Sequence, residues 1–478
     1  MQMPPGIGPF HIVGIGGIGM SAIAEVLHTR GYPVRGSDLK DGPNLKRLRD
    51  MGVPCAVGHD PAHIDGARFV VVSTAVKPEN PELEAARERG IPIIRRAEML
   101  AELMRGRAAV AITGTHGKTT TTSLIAELLA GADLDPTVLS GGIINAWGSN
   151  ARIGGGDWMV VEADESDGTF IKLPTQIGVV TNIDPEHMDY WQSIDALHGA
   201  FQTFFESIPF YGLVVAGVDH PIVREMVAAM ERQRSGRRVL TYGAADDADL
   251  RLANFRAEGG GVRFDVDLAE KVNGGVRTVT DIRLPVPGHY NALNALAAVA
   301  VGTEIGIADE TIRSALAGFG GVKRRFTLTG TWNGVSIYDD YAHHPVEIAA
   351  VLKAARDAAE GRVIAILEPH RYTRLKSLFG DFCTCFADAD TVIVTPIYSA
   401  GEAPIAGIDR AALIEGLERQ GREHVLATDS AADLAALVAE TAKPGDLVIG
   451  LGAGAITEWT NALPGRLAAQ HGDGDAAA

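Results

Sequence analysis

The tightest constraint on the fold is one stretch from Ala108, "AAVAITGTHGKTTTTSLIAELLA". Its first six residues are small, apolar and β-branched enough for a buried strand, and Leu124, Ile125, Leu128 and Leu129 recur at helical spacing. Gly114 and Gly117 lie between the two. A strand that turns through glycine into a helix aims backbone N–H groups and the positive helix end at one spot, which suits a phosphate. Lys118 adds a mobile charge for the outer phosphates, and the Thr119 hydroxyl a ligand for Mg²⁺. The standard P-loop spacing G-x-x-x-x-G-K-[ST] asks for glycine where Ile112 stands, so the match is imperfect. An ordinary glycine turn is the plain alternative, and G-K-T in this setting favours a triphosphate site.

A second turn lies in "FHIVGIGGIGMSAIAEVL". Gly14, Gly16 and Gly19 satisfy G-x-G-x-x-G between a strand and a helix, and the next strand, "YPVRGSD", ends at Asp38, where a ribose-binding acid is expected. Three readings fit: a dinucleotide, another nucleotide or its diphosphate, or tight strand–helix packing that binds nothing. The spacing does not separate them.

Strand and helix patterns alternate along nearly the whole chain, the mark of α/β domains with mostly parallel sheets. At 478 residues the chain exceeds one core, so about two to four domains are expected. Boundaries near 106 and 322 give parts 1–106, 107–322 and 323–478, with a tail of about 471–478 expected to be disordered. The central part includes a stretch that reads as antiparallel, "LRLANFRAEGGGVRFDVDL" with "VRTVTDIRLPVPG". Hydrophobic residues make up 46% of the chain at a mean hydropathy of +0.08, as in a packed globular protein. A formal charge of −17 argues against nucleic acid or membrane as partner through general electrostatics, so positive charge for phosphates has to be local. No apolar run reaches membrane-spanning length, and "MQMPPGIGPF" lacks the build of a signal peptide, so the cytoplasm is the expected compartment. Cys55, Cys383 and Cys385 form no disulfide framework or zinc pattern, and the last two read as core packing.

Several strands end in polar clusters, where open α/β sheets bind ligands. "WMVVEADESDGTF" places Glu162, Asp164 and Glu165 after a strand, as Mg²⁺ carboxylates or as a solvated acidic turn. "VVTNIDPEHMDYW" places Asn182, Asp184, Glu186 and His187 likewise, the histidine being structural or a metal or substrate contact. "GGVKRRF" supplies Lys323, Arg324 and Arg325, a grip for phosphate or carboxylate or a surface basic turn. "YDDYAHHPVE" and "EPHRYTR" add Asp339, Asp340, Tyr341, His343 and His344, then Glu368, His370, Arg371, Tyr372 and Arg374. Without H-E-x-x-H or G-x-S-x-G these read as substrate and nucleotide contacts, with no zinc site or acyl-enzyme expected.

In their order these motifs resemble the Mur ligases, the ATP-dependent amino-acid ligases of peptidoglycan synthesis. The motifs carrying the likeness are "GIGGIGMSAIAEVL", "GSDL", "STAV", "GTHGKTTTT", "EADESD", "VTNIDPEHMD", "HYNALNALAA", "GVKRRF", "DDYAHHP" and "PHRYTR", with "YSAGEAPI" and "LGAGAI" downstream. The resemblance implies three α/β domains: an N-terminal Rossmann-like UDP-binding domain, a central P-loop ATPase-type domain with a mostly parallel sheet and a small antiparallel part, and a C-terminal Rossmann-like domain. It implies that Gly16, Gly17, Gly19, Ser37 and Asp38 cradle the UDP of a sugar substrate, with Ser73 and Thr74 nearby. Gly114, Thr115, His116, Gly117, Lys118, Thr119 and Thr120 would bind ATP phosphates. Thr119 and Glu162 would hold one Mg²⁺ and His187 a second. Asn291 would meet adenine, Arg324 or Arg325 the γ-phosphate, and Asp339 or Asp340 the ribose. Tyr341, His343, His370, Arg371 and Arg374 would surround the muramyl carboxylate and the amino acid. Because imidazole titrates near neutrality, His343 or His370 is a candidate base for the amine proton.

The implied activity is ligation of L-alanine to UDP-N-acetylmuramate through an acyl phosphate, by a monomer or weak homodimer. Later-acting members carry a carbamoylated lysine, for which no counterpart stands out here. The alternatives are a recycling ligase that adds a tripeptide to the same UDP-sugar, an NAD-dependent oxidoreductase built on the first glycine turn, and a nucleotide-gated regulator.

Overall fold

The computed structural model describes residues 3–470 except residues 5, 74, 167 and 234; Thr74 and the expected tail lie outside the described residues. The chain forms two compact units: Met1–Asn254 with Phe264–Ile282 and Leu293–Gly320, and Phe255–Arg263 with Arg283–Ala292 and Gly321–Ala478.

The first unit opens with a five-stranded parallel sheet. Phe10–Val13 is its centre, flanked by Val34–Asp38 and then Cys55–Val57 on one side, and by Phe69–Val72 and then Ile93–Arg95 on the other. Helices cover both faces, which is why every residue of "FHIV" is buried. The strand's period of two divides it: Phe10 and Ile12 pack with Met20, Ile23, Leu45 and Leu103, while Val13 packs with Ile64, Val70 and Leu83. Each such fully buried aliphatic side chain contributes roughly 1.5–3 kcal/mol.

A ten-stranded sheet follows, with Ala108–Thr113 between Ile177–Val180 and Trp158–Glu162, all parallel. One end carries Leu250–Glu258, Gly261–Leu268 and Arg277–Leu284. The turn joining the first two holds Gly259 and Gly260 at φ +59° and +80°, the two-residue geometry that links antiparallel strands. His289–Glu304 is the helix that "HYNALNALAAVAVGTEIG" predicts.

The sheet of the second unit runs Thr327–Trp332, Val335–Asp340, Leu447–Leu451, Val363–Leu367, Thr391–Val394, Val425–Ala427, parallel except for its first pair. Val363, Ala365 and Leu367 face one core, and Ile364 and Ile366 the other. Cys383 and Cys385 are buried in the first of these cores, as packing residues. Among the described residues no helix is long and apolar enough to cross a membrane.

Register places the polar clusters. Val13 lies beside Ser37 and Val72; Thr113 lies beside Val180, and Ile112 beside Glu162; Leu451 lies between Asp340 and Leu367. Each sheet therefore gathers its glycine turns and charged residues at the carboxyl ends of its parallel strands.

Candidate active site

The turn after Thr113 takes a shape only glycine allows. Gly114 has φ +128° and Gly117 φ +81°. A Cβ on Gly114 would lie 2.1 Å from Thr181 Oγ1, and one on Gly117 2.7 Å from Asn294 Oδ1. The "TNID" segment staples the turn: Thr181 Oγ1 and Asn182 Nδ2 donate to His116 O at 2.7 and 3.0 Å, and His116 N donates to Asn182 Oδ1 at 2.8 Å. Asp184 N donates to Thr115 Oγ1 at 2.8 Å. The first bond of the helix Lys118–Gly131 is Thr121 N to Gly117 O, which leaves the N–H groups of Lys118, Thr119 and Thr120 at its open end.

Lys118 Nζ folds over this turn and donates to Gly114 O, Thr115 O and Glu165 Oε1 at 2.6, 3.0 and 2.9 Å. Burial opposes the ammonium charge, yet Glu165, Asp164 and Glu162 outweigh it and hold Lys118 above the ordinary lysine range. Burial, aided by the Asp164 charge and opposed by Lys118, pushes Glu165 up to about 7. Thr119 Oγ1 donates to Glu162 Oε1 at 3.1 Å, and Gly141 N donates to Glu162 Oε2 at 2.6 Å. Asp164, Glu165 and His187 form a second group whose ligand atoms lie within 4.8 Å of one another. His187 Nε2 stands 3.9 Å from Glu165 Oε1, on a left-handed backbone at φ +55°. The three residues expected to ligate metal thus divide: Thr119 with Glu162, and His187 with Asp164 and Glu165. Two sets of carboxylates backed by a hydroxyl or an imidazole fit a hard cation such as Mg²⁺.

Behind the turn, His116 Nε2 and His220 Nε2 each lie 3.3 Å from Asp184. Against the pull of burial, they hold the Asp184 carboxyl below the usual carboxylate range. His220 belongs to no motif, and sequence reasoning missed it.

At the first glycine turn the expected donors are engaged internally. Gly14 N and Ile15 N donate to Ser37 O at 2.8 and 3.0 Å, Gly17 N to Gly14 O at 3.1 Å, and Gly16 N to Asp38 Oδ2 at 2.9 Å. The Gly16 and Gly17 amides are thus spent within the turn, and Asp38 Oδ2 accepts one of them. The first bond of the helix Ile18–Thr29 is Ser21 N to Gly17 O, so the N–H groups at its open end belong to Ile18, Gly19 and Met20. Gly16 is needed for packing, since a Cβ there would lie 2.5 Å from Leu45 Cδ1. A Cβ on Gly19 would lie 3.0 Å from Arg96 Nη1, and Arg96 Nη2 donates to Asp164 Oδ2 at 3.1 Å. A cleft of about 270 Å³, lined by Ile18, Gly19, Arg96, Gly141, Glu162 and Asp164, joins this helix end to the first metal-donor pair. Arg96 was also missed; its only trace is the basic pair in "IIRRAEML".

The Ser37 hydroxyl faces away from the turn, into a cluster no motif announces. Ser37 Oγ donates to Glu82 Oε2 at 2.6 Å, His11 Nε2 lies 3.1 Å from the same oxygen, and His63 Nδ1 lies 2.8 Å from Glu82 Oε1. Glu82 is fully buried. Burial alone would raise its carboxyl, but the bonds from His11, Ser37 and His63 hold it down at about 2. Ser73 follows the strand Phe69–Val72, and its carbonyl accepts from Val76 N at 3.2 Å.

In the second unit, Asp340 is likewise engaged: its two oxygens accept from Phe326 N and Ala342 N, both at 2.7 Å. Burial, against the pull of Arg325, pushes it up to about 6. Of the ribose pair, Asp339 is the one with an unpartnered oxygen, Oδ1, and it stands 3.8 Å from Arg324 Nε. Asn291 Nδ2 donates to Pro287 O at 2.7 Å, so this nitrogen is held by its own helix start. Arg324, at φ +64°, donates to Gly452 O at 2.9 Å, and the Arg324 and Arg325 guanidinium groups lie 4.7 and 5.0 Å from the centre of the Tyr341 ring.

The rings of Tyr341, His343, His370 and Tyr398 then follow one another at 5.1, 5.5 and 5.4 Å. Arg374 Nη1 donates to His370 Nδ1 at 3.1 Å, and Arg371 Nε donates to Glu402 Oε1 at 2.6 Å. Burial, with the charges of His343, Arg374 and Arg371, lowers His370 to about 4. Against burial, Thr373 and Arg371 hold Glu402 at about 2.

The arrangement is therefore a lysine-bearing anion turn facing two groups of cation donors in one unit, and an arginine–histidine cluster in the other. Residues 9–108 match the Mur ligase family catalytic domain, 112–302 the Mur ligase middle domain, and 324–454 the Mur ligase glutamate ligase domain. A UDP-N-acetylmuramate–L-alanine ligase of Bradyrhizobium diazoefficiens is 59% identical over 467 residues, 98% of this chain and 99% of that protein. The structure of UDP-N-acetylmuramate–alanine ligase from Thermotoga maritima superposes with a TM-score of 0.80 at 27% identity, covering 98% of this chain and 100% of that one. A murein peptide ligase from Psychrobacter arcticus shares the fold at 24% identity and a TM-score of 0.69, covering 98% and 99% of the two chains. With all three of its parts matched in order, the chain belongs to the Mur ligase family.

Proposed function

We propose that the chain joins L-alanine to the carboxylate of UDP-N-acetylmuramate at the expense of ATP, releasing ADP and phosphate, in cytoplasmic peptidoglycan precursor synthesis. The observation that carries this reading is the Lys118 turn facing two cation-donor groups, in a chain 59% identical along nearly its whole length to a protein named for that reaction.

ATP phosphates lie on the Gly114–Thr120 turn, where backbone N–H groups and Lys118 meet their charge. Bound Mg²⁺ neutralises phosphate oxygens; Thr119 with Glu162, and Asp164 and Glu165 with His187, would hold two such ions. The UDP-sugar lies at the open end of the helix Ile18–Thr29, with Arg96 on its phosphates, and the cleft leads its carboxylate toward Glu162. A carboxylate oxygen attacks the γ-phosphorus and ADP leaves, which forms the acyl phosphate. The alanine nitrogen then attacks the acyl carbon and phosphate leaves. Catalysis is positioning and charge neutralisation. Arg324 and Arg325 serve the phosphate, Asp339 the ribose, and Arg371 and Arg374 the alanine carboxylate. The division at residues 106 and 322 belongs to the same proposal and is supported by one sheet in each part. The working form is a monomer or weak homodimer.

The test is phosphate release from ATP and Mg²⁺ with UDP-N-acetylmuramate, comparing L-alanine, the tripeptide and no acceptor, with product mass as a check. Release with L-alanine and the mass of the alanyl conjugate are expected. Release only with the tripeptide would reassign the chain to the recycling ligase, and release without any acceptor would sink the ligase reading.

A further inference from the structure

The proposed ligation requires the attacking nitrogen to shed a proton, and the second unit holds two histidines with rings 5.5 Å apart. Their hydrogen bonds put them in opposite tautomers. A backbone carbonyl only accepts, so the 2.9 Å contact between Tyr341 O and His343 Nδ1 requires the proton on Nδ1. Glu347 Oε2, 3.5 Å from the same nitrogen, favours that arrangement. Neutral His343 then carries its lone pair on Nε2. A guanidinium only donates, so Arg374 Nη1, 3.1 Å from His370 Nδ1, requires the lone pair there and the proton on Nε2.

Glu347 is itself fixed. Its Oε2 accepts from His343 N and His344 N at 3.2 and 3.4 Å, at the start of the helix Pro345–Ala358. The charged and titratable groups around His343 include Glu347 on the helix that follows it, Tyr341 with Arg324 and Arg325 beyond its ring, and His370 with Arg371 and Arg374 at the next strand end. Among so many cations, Glu347 stabilises the imidazolium that proton transfer creates, as a buried carboxylate does in a catalytic triad.

We propose that His343 Nε2 accepts the proton in the amide-forming step, that Glu347 is its positioning residue, and that His370 is a hydrogen-bond donor and not a base. This rests on the ligase reading above. In the step, the lone pair of the amine forms the C–N bond and the carbonyl π pair moves to oxygen. The N–H proton passes to His343 Nε2. The C–O bond to phosphate then breaks as the carbonyl re-forms, and phosphate leaves with that bonding pair.

Two nucleophiles separate the halves of the reaction. The enzyme, ATP, Mg²⁺ and UDP-N-acetylmuramate are mixed with L-alanine or with hydroxylamine, which is unprotonated at neutral pH and captures an acyl phosphate as the hydroxamate without a base. His343→Asn keeps a donor where Nδ1 stands and removes Nε2. Its rate with L-alanine is expected to fall roughly a hundredfold or more, with hydroxamate formation within about twofold of the parent enzyme. Glu347→Gln should move the acid limb of the alanine rate to lower pH by about one unit, because the imidazolium loses its stabilising charge. Glu347→Asp should restore part of that shift. His370→Gln should raise the KM for L-alanine and leave the acid limb in place.

An unchanged alanine rate and acid limb in His343→Asn would overturn the assignment. So would equal losses with both nucleophiles, or an acid limb that follows His370→Gln. If the parent enzyme forms no hydroxamate that depends on the UDP-sugar, the ligase reading fails and the assignment fails with it.

Discussion

Glu82→Gln tests whether the buried cluster beside the first glycine turn is held by charge. The Glu82 side chain is 0% exposed and its carboxyl is lowered from 4.5 to about 2. At about 1.4 kcal/mol per pH unit, the ionised form is worth about 3 kcal/mol to the fold. The folded value is depressed, so this contribution is present above the unfolded value of 4.5 and is lost as pH falls toward about 2. Linkage leaves most of it at pH 4 and less than half at pH 3. Glutamine keeps the shape but turns one accepting oxygen into a donor, which opposes either Ser37 and His11 or His63.

The readout is native-state hydrogen exchange over Phe10–Val13 and Val34–Asp38, the two strands that carry His11 and Ser37. Comparing one segment in two proteins avoids assigning a single unfolding energy to a chain of several parts. The variant should open more easily by about 3 kcal/mol at pH 7, with the gap narrowing as the pH is lowered. A gap under about 1 kcal/mol, or one that stays constant into acid, would refute the argument that ionised Glu82 organises this cluster. Because Ser37 O also receives the Gly14 and Ile15 amides, the variant should bind the UDP-sugar less well while its affinity for ATP holds.

Two further substitutions address the anion sites. Gly114→Ala forces alanine into φ +128° and a Cβ to 2.1 Å from Thr181 Oγ1, so Thr181 must release His116 O. A cost of about 1–3 kcal/mol should appear as roughly tenfold to hundredfold weaker ATP binding by calorimetry, and unaltered binding would contradict the steric reading. Arg96→Ala should raise the KM for the UDP-sugar roughly tenfold to a hundredfold, and Arg96→Lys should recover only part of this, because lysine keeps the charge without the fork. A KM that stays put in steady-state assays would remove Arg96 from the diphosphate site.

Local pattern made much of the architecture legible. The strands Phe10–Val13, Ala108–Thr113 and Val363–Leu367 are apolar runs buried on both faces, and glycine marks the turn after each of the first two. Cys55–Val57, Ile93–Arg95 and Val425–Ala427 went unread because three residues at a sheet edge are too few to show a period. The antiparallel pair Thr137–Ile144 and Ser149–Arg152 escaped for another reason. Gly141, Gly142 and Ser149 look like loop residues, yet Gly141 is there to let the Glu162 carboxylate approach the backbone, where a Cβ would lie 2.4 Å from Glu162 Oε1.

Within the site, motif and atom part company. A glycine fingerprint states that some group approaches the backbone closely, and it does not state which group. At Gly114 and Gly117 the approaching groups are Thr181 and Asn294, and the next three amides stand at the open end of the helix. At Gly16 the approaching groups are Leu45 and Asp38, and the Gly16 amide is consumed by Asp38 itself. The amides left at the open end of the helix are those of Ile18, Gly19 and Met20, of which the fingerprint names only Gly19. Asp38, Asp340 and Asn291 show the same logic from the side-chain side: a polar residue at a strand or helix end is as often needed to hold the loop as to hold the ligand. The partners that decide between the two are distant in sequence. Glu82 stands 71 residues from His11, and Arg96 stands 68 from Asp164. Only the folded chain brings them into reach, so spacing finds the loop, and the hydrogen bonds of the fold determine which of its atoms remain for chemistry.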